Sequence, residues 1–163
     1  MEFLLIAALI SVILASAATA TAFTTENHEK EAGIVIQMPG VRPTLPDTYI
    51  CVGLKLGDTP TQVIGYDPLF DYHKPHHMNI YACEKPGSKA PVWNCGMIGG
   101  LMGAKRGIPS GPKCARGHRQ FIYAWTHQAP PMHLPKGVGI KLPANTMLVL
   151  QVHYANVDKF VRG

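Results

Sequence analysis

Two adjacent histidines, His76 and His77, and a third in the run Gln151-Val152-His153-Tyr154 are the residues of this chain best suited to chemistry. Two neighbouring imidazoles plus one on a distant strand can make a three-nitrogen metal site. Such a site holds copper in either oxidation state and needs no carboxylate to do so.

In a regular strand His76 and His77 would point to opposite faces. Both reach one ion only if the chain bends there, or if one ring uses Nδ1 and the other Nε2. Pro75 stands just before the pair and favours a bend, because its ring restricts φ and holds Lys74 extended. Along Met147–Tyr154, the residues Met147, Val149, Gln151 and His153 alternate with Leu148, Leu150, Val152 and Tyr154. The second set is the better core. His153 therefore lies on the less apolar face beside Gln151, where a metal could reach it.

Among the other histidines only His73 is close enough in sequence to contend for the site; His28, His118, His127 and His133 have no partner spacing. No Ser-His-Asp arrangement or glycine-rich phosphate loop stands out. From Lys85 through Val157 there is no Asp or Glu, which leaves few carboxylates to act as a base near His153. That weighs against a zinc hydrolase, which pairs its metal with a nearby Glu.

The elements that must position these residues are short β-type runs separated by Pro and Gly. Candidate strands are Gly33–Met38, Thr48–Leu56, Thr61–Tyr66, His77–Cys83, Phe121–Thr126, Val138–Leu142 and Met147–Tyr154. Several short strands at this spacing, with no amphipathic helical period, predict an all-β fold, an antiparallel β-sandwich or jelly roll. Gly96–Gly117 reads as an exposed loop tethered at Cys95 and Cys114. It contains Lys105-Arg106, a pair that a dibasic-specific protease could cut.

The apolar run from Phe3 to Ala15, followed by Ala20-Thr21-Ala22, reads as a secretory signal peptide over residues 1–22. Residues 23–32 then form a flexible N-terminus and 33–163 a single domain, with no further segment to span a membrane. Cys51, Cys83, Cys95 and Cys114 all follow the leader, and an even count in an oxidising compartment predicts two disulfides. Four cysteines allow three pairings. The net charge of +5 is uneven, since the acid-free stretch carries nine Lys and Arg residues. These follow no stripe or motif, so nucleic acid is not the expected partner.

Several segments together resemble one family. They are Met38-Pro39-Gly40-Val41, Asp47-Thr48-Tyr49, His76-His77-Met78, Tyr123-Ala124-Trp125, Ala129-Pro130-Pro131, Leu134-Pro135-Lys136-Gly137-Val138-Gly139 and Leu150-Gln151-Val152-His153-Tyr154. In order and content they are similar to the N-terminal half of the catalytic core of the peptidylglycine α-hydroxylating monooxygenases, copper type II, ascorbate-dependent enzymes of neuropeptide processing. Dopamine β-monooxygenase shares the copper histidines and ranks second.

The resemblance implies a jelly roll whose electron-transfer copper is held by His76, His77 and His153, with Gln151 as a supporting residue. It also implies the disulfides Cys51–Cys95 and Cys83–Cys114. In the family this copper takes an electron from ascorbate. A second domain, whose copper is bound by two histidines and a methionine, activates O₂ and hydroxylates the C-terminal glycine of a peptide, the first step of amidation. These residues contain no His-x-His pair. The expectation is therefore an N-terminal copper domain without its C-terminal partner: one copper, no catalytic residue for O₂ activation, and no turnover of glycine-extended peptide alone. The alternative is a secreted, non-catalytic β-sandwich that binds zinc or a protein partner.

Overall fold

The computed structural model describes residues 9–15, 32–43, 45, 47–70, 75–97 and 108–155. Among them are ten strands and no helix: β1 (Leu9–Ala15), β2 (Ala32–Gln37), β3 (Thr48–Lys55), β4 (Thr61–Pro68), β5 (His77–Cys83), β6 (Val92–Asn94), β7 (Arg119–Thr126), β8 (Met132–His133), β9 (Ile140–Leu142) and β10 (Met147–Tyr154). They form two sheets. One runs β2-β1-β4-β8, with β9 also on β4; the other runs β6-β3-β10-β5-β7. Every strand ladder is antiparallel. The chain is thus an all-β antiparallel sandwich, an arrangement compatible with a jelly roll.

Period-two alternation explains how the sheets meet. Met78, Ile80, Leu148, Leu150 and Val152 from β5 and β10 face Ile36, Val63, Tyr66 and Leu142 of the other sheet in one buried cluster. Tyr66 is wholly buried, stacks on Tyr123 at 4.1 Å, and donates its hydroxyl to the Ile122 carbonyl at 3.0 Å. A phenol inside a core needs such a partner. This bond also ties β4 to β7 across the sandwich.

The opposite face of the second sheet is covered as well. Tyr49, Cys51, Tyr81, Cys83, Trp93, Cys95, Cys114 and Val149 make a second buried cluster. Cys51 is bonded to Cys95 and Cys83 to Cys114, over sequence separations of 44 and 31. On the chain-entropy account, loops this long stabilise by up to about 4 kcal/mol each. Both bonds hold returning chain against the face of the sheet that carries His153.

Several expectations change here. The Gly96–Gly117 segment is not wholly an exposed loop. Gly111, Lys113 and Cys114 are buried, Asn94 pairs with Ser110, and Gly111 N–H donates to the Asn94 carbonyl at 3.0 Å. Lys113, one of the nine cations of the acid-free stretch, is buried: its Nζ donates to the carbonyls of Cys95 (3.2 Å) and Met97 (2.7 Å), and burial lowers its pKa. Lys105-Arg106, His28 and His73 lie outside the described residues. Two short strands, β6 and β8, were not anticipated; at three and two residues they are too brief to show a period. Leu9–Ala15, within the segment read as a leader, forms β1 between β2 and β4.

Leu150 lies mid-strand in β10 with both neighbours laddered and is 1% exposed. Leu150→Ala should lower unfolding free energy by about 2–5 kcal/mol, the usual range for a core leucine. Chemical denaturation would show a lower midpoint with an unchanged slope; a midpoint near wild type would mean this side of the core is loosely packed.

Candidate metal centre

The register of three strands brings the histidines together. β10 pairs with β5 so that His153 stands directly opposite His77, and with β3 so that it stands opposite Tyr49. Directly opposed residues share a face. One row therefore reads His77, His153, Tyr49, and the next row inward on that face reads Asn79, Gln151, Cys51. His76 precedes the first residue of β5 at a bend, and its N–H donates to the His153 carbonyl at 2.8 Å. The chain turns before the strand begins, so the two neighbouring rings converge.

All three imidazoles present Nδ1 to a common point. Nδ1 of His77 lies 3.3 Å from that of His76 and 3.2 Å from that of His153, and one nitrogen from each of the three falls within 4.8 Å of the others. An imidazole–metal bond of about 2.0–2.1 Å sets neighbouring nitrogens roughly 3.3–3.6 Å apart around a tetrahedral or trigonal ion. The observed spacings are of that size. Among the described residues this is the only such cluster of His, Cys, Asp or Glu. The close contacts are between Nδ1 atoms rather than the mixed Nδ1 and Nε2 arrangement.

The site is graded from open to closed: His76 is exposed, His77 half-buried and His153 buried. Tyr49 stacks flat on His153, with centroids 4.1 Å apart and planes 3° apart. Asp47 Oδ1 lies 3.1 Å from His153 Nε2. A neutral His153 that offers Nδ1 to an ion would carry its proton on Nε2 and donate it to this carboxylate. A carboxylate on the far nitrogen fixes tautomer and ring orientation and raises ligand basicity. Asp47 reaches this position from a left-handed backbone (φ 52°), with its N–H donating to the Ala155 carbonyl at 3.3 Å.

Asp47 was visible in the sequence only as part of Asp47-Thr48-Tyr49, not as a partner of His153. The acid-free stretch had suggested few carboxylates nearby, and one arrives from more than a hundred residues away. Gln151, expected to support the rings, makes its hydrogen bonds with other groups. Its side chain is fully buried; Oε1 accepts from Asn79 Nδ2 (3.0 Å) and Nε2 donates to the Gly96 carbonyl (2.7 Å). It braces the layer beneath the histidines rather than the histidines themselves. His133 pairs instead with Asp67 at 3.2 Å, and Trp125 is the ring beside His127.

Burial disfavours protonation of His77 and His153. Burial, reinforced by the neighbouring His153 and His76, pushes His77 down to about 4. His153 is lowered too, mainly by burial, while the hydrogen bond and charge of Asp47 pull the other way. Neutral imidazoles are what a metal ion requires.

The fold and the centre together define a class. The family described as copper type II ascorbate-dependent monooxygenase, N-terminal domain, matches residues 34–161, and the chain belongs to it. In particular, it is 36% identical over 129 residues to peptidyl-glycine alpha-amidating monooxygenase B of Xenopus laevis, which covers 77% of this chain and 13% of that protein. The peptidylglycine alpha-amidating monooxygenase of Rattus norvegicus is likewise 36% identical over 129 residues, 12% of its length. The chain thus spans a small fraction of the curated relatives it matches.

Two outcomes test the centre. Asp47→Ala should weaken metal binding about tenfold, the low end of the range for such partners, because the Asp47 side chain is 67% exposed and partly screened. Chelator competition would measure it; unchanged affinity would leave Asp47 without a role. The second concerns pH. Unfolded, His77 takes a proton near its ordinary 6.5; folded and metal-free, only near 4. Between those values the unfolded state binds more protons, so stability rises with pH. The metal-free protein should lose stability as pH falls from about 6.5 to about 4, and His77→Phe should flatten that slope in denaturation curves.

Proposed function

We propose that this domain is the electron-transfer copper half of a peptidylglycine monooxygenase, acting in the secretory pathway. The observation that carries the reading is the convergence of one imidazole nitrogen each from His76, His77 and His153, with no carboxylate on the side they share. Such a donor set suits both Cu(I) and Cu(II). Copper bound there would supply a one-electron couple.

The chain's own residues do the rest. His76, exposed at the rim, gives a small reductant such as ascorbate a path to the centre. Burial lowers the pKa of both His77 and His153, and the neighbouring histidines add to it. Asp47 and Tyr49 hold the His153 ring from its edge and its face, and a ligand that does not reorient between redox states lowers the reorganisation needed for transfer. Hydroxylation of glycine-extended peptide belongs, on this reading, to a second copper domain that these residues do not supply. Two disulfides and the leader-like N-terminus support an oxidising, secretory location.

The purified protein should bind one copper per chain by elemental analysis. Anaerobic ascorbate should bleach its Cu(II) EPR signal, and His153→Ala should lose or weaken the copper. Alone, the chain should give no amidating turnover. Zinc or no metal recovered with the protein, or copper indifferent to His153, would instead favour the non-catalytic binding module.

A further inference from the structure

Strand β1 holds the first sheet together in a way that the metal centre does not explain. It pairs antiparallel with β2 from Leu9↔Gln37 to Leu14↔Ala32, and antiparallel with β4 from Ile10↔Pro68 to Ala15↔Gln62. No other strand pairs with β2 among the described residues. Yet β2 is anchored in the sandwich: Ile36 is 2% exposed and belongs to the main core. Without β1, β2 would keep its packing and lose its ladder. Its backbone donors and acceptors would face a gap two strand spacings wide, about 9.5 Å, with β4 on the far side. Unpaired backbone groups beside a core are costly.

Of the two edges lining that gap, β2 lacks the usual guards: Ala-Gly-Ile-Val-Ile-Gln has no charge and no proline. β4 is better guarded, with Asp67, Pro68 at its very end and an irregularity where Ile13 meets Gly65 and Leu14 meets Val63, and β1 pairs with it across that irregularity. Natural edge strands carry Lys, Pro or bulges to prevent strand addition. The segment that fills the gap, Leu-Ile-Ser-Val-Ile-Leu-Ala, is uncharged and contains three β-branched residues, Ile10, Val12 and Ile13. The same segment is the apolar centre of the leader-like N-terminus. If residues 1–22 are removed, the strand goes with them.

We propose that the sandwich carries a strand-accepting groove between β2 and β4, specific for a neutral, extended, β-branched segment running antiparallel to both. Leu9–Ala15 is its occupant in the uncut chain. Cleavage near Ala22 turns an intramolecular strand into a replaceable one, and the mature domain then recruits by β-strand addition. The groove lies in the sheet that does not hold the metal centre, so the inference stands independently of the copper reading.

The test starts from the full chain, with a specific protease site introduced between residues 16 and 31. The chain is folded, cut, and followed by hydrogen–deuterium exchange at the β2 and β4 amides. Those amides should be protected while Leu9–Ala15 stays bound and lose protection when it is washed out. A synthetic Leu9–Ala15 peptide flanked by lysines should restore protection, and the same peptide with Val12→Pro should not. Protection indifferent to the segment would overturn the proposal. So would equal rescue by the proline peptide, or closure of the gap by dimerisation of the cut protein in the presence of wild-type peptide. Copper content read in parallel separates failure of the groove from failure of the metal site.

Discussion

The position of β10 between β3 and β5 is the constraint on which the rest depends. Its side chains alternate between two environments, one the sandwich core and the other the face with the histidines and disulfides. A slip of one residue would exchange those faces. It would bring Gln151 and His153 into the apolar core and turn Leu150 and Val152 toward the metal side. Burying those polar groups without partners costs far more than any gain in packing, so the ladder has one good register. That register places His153 opposite His77. The histidine cluster is a by-product of correct pairing, and its geometry is as rigid as the sheet.

The polar face is costly to build, and the chain satisfies it in layers. Beneath the histidines, Gln151 accepts from Asn79 and donates to Gly96, with Tyr81 at 3.4 Å from the same oxygen. The Gly96 carbonyl is available because Cys95 is bonded to Cys51 and its N–H donates to the Tyr49 carbonyl. The same disulfide segment is held further by the Lys113 ammonium on the carbonyls of Cys95 and Met97. What looked like a surface loop is part of the floor of the site. Fully satisfied polar networks of this kind rigidify what they support.

Much of this was legible from residue types alone. The alternation along Met147–Tyr154 marks both faces, and the His-His pair after Pro75 marks the bend. The long strands β3, β4, β5, β7 and β10 show clear β-type runs bounded by turns, so the all-β class follows. What could not be read is what depends on distant chain. Asp47 reaches His153 over a separation of 106 residues, through a left-handed turn that nothing in its neighbours announces. Residues alone also allowed Gln151 to face the rings. Only the neighbouring strands, which offer Asn79 and the returning Gly96 carbonyl, show where its amide goes.

If the three histidines hold a redox ion, as proposed, their place at the end of a sheet rather than within the sandwich has a physical logic. An ion surrounded by protein on all sides would be shielded from both its reductant and its acceptor. An ion on an open loop would reorganise its ligands at each change of charge. Here His153 and His77 are fixed by a strand pair, and one of them is further fixed by stacking and a carboxylate. His76 is the most exposed of the three, and its backbone is tied to the end of β10 by the bond to the His153 carbonyl. The exposed ligand is thus held at its backbone while its ring stays accessible. Rigidity is concentrated on the inner side of the histidine cluster and access on the outer, the division that the proposed one-electron exchange would require.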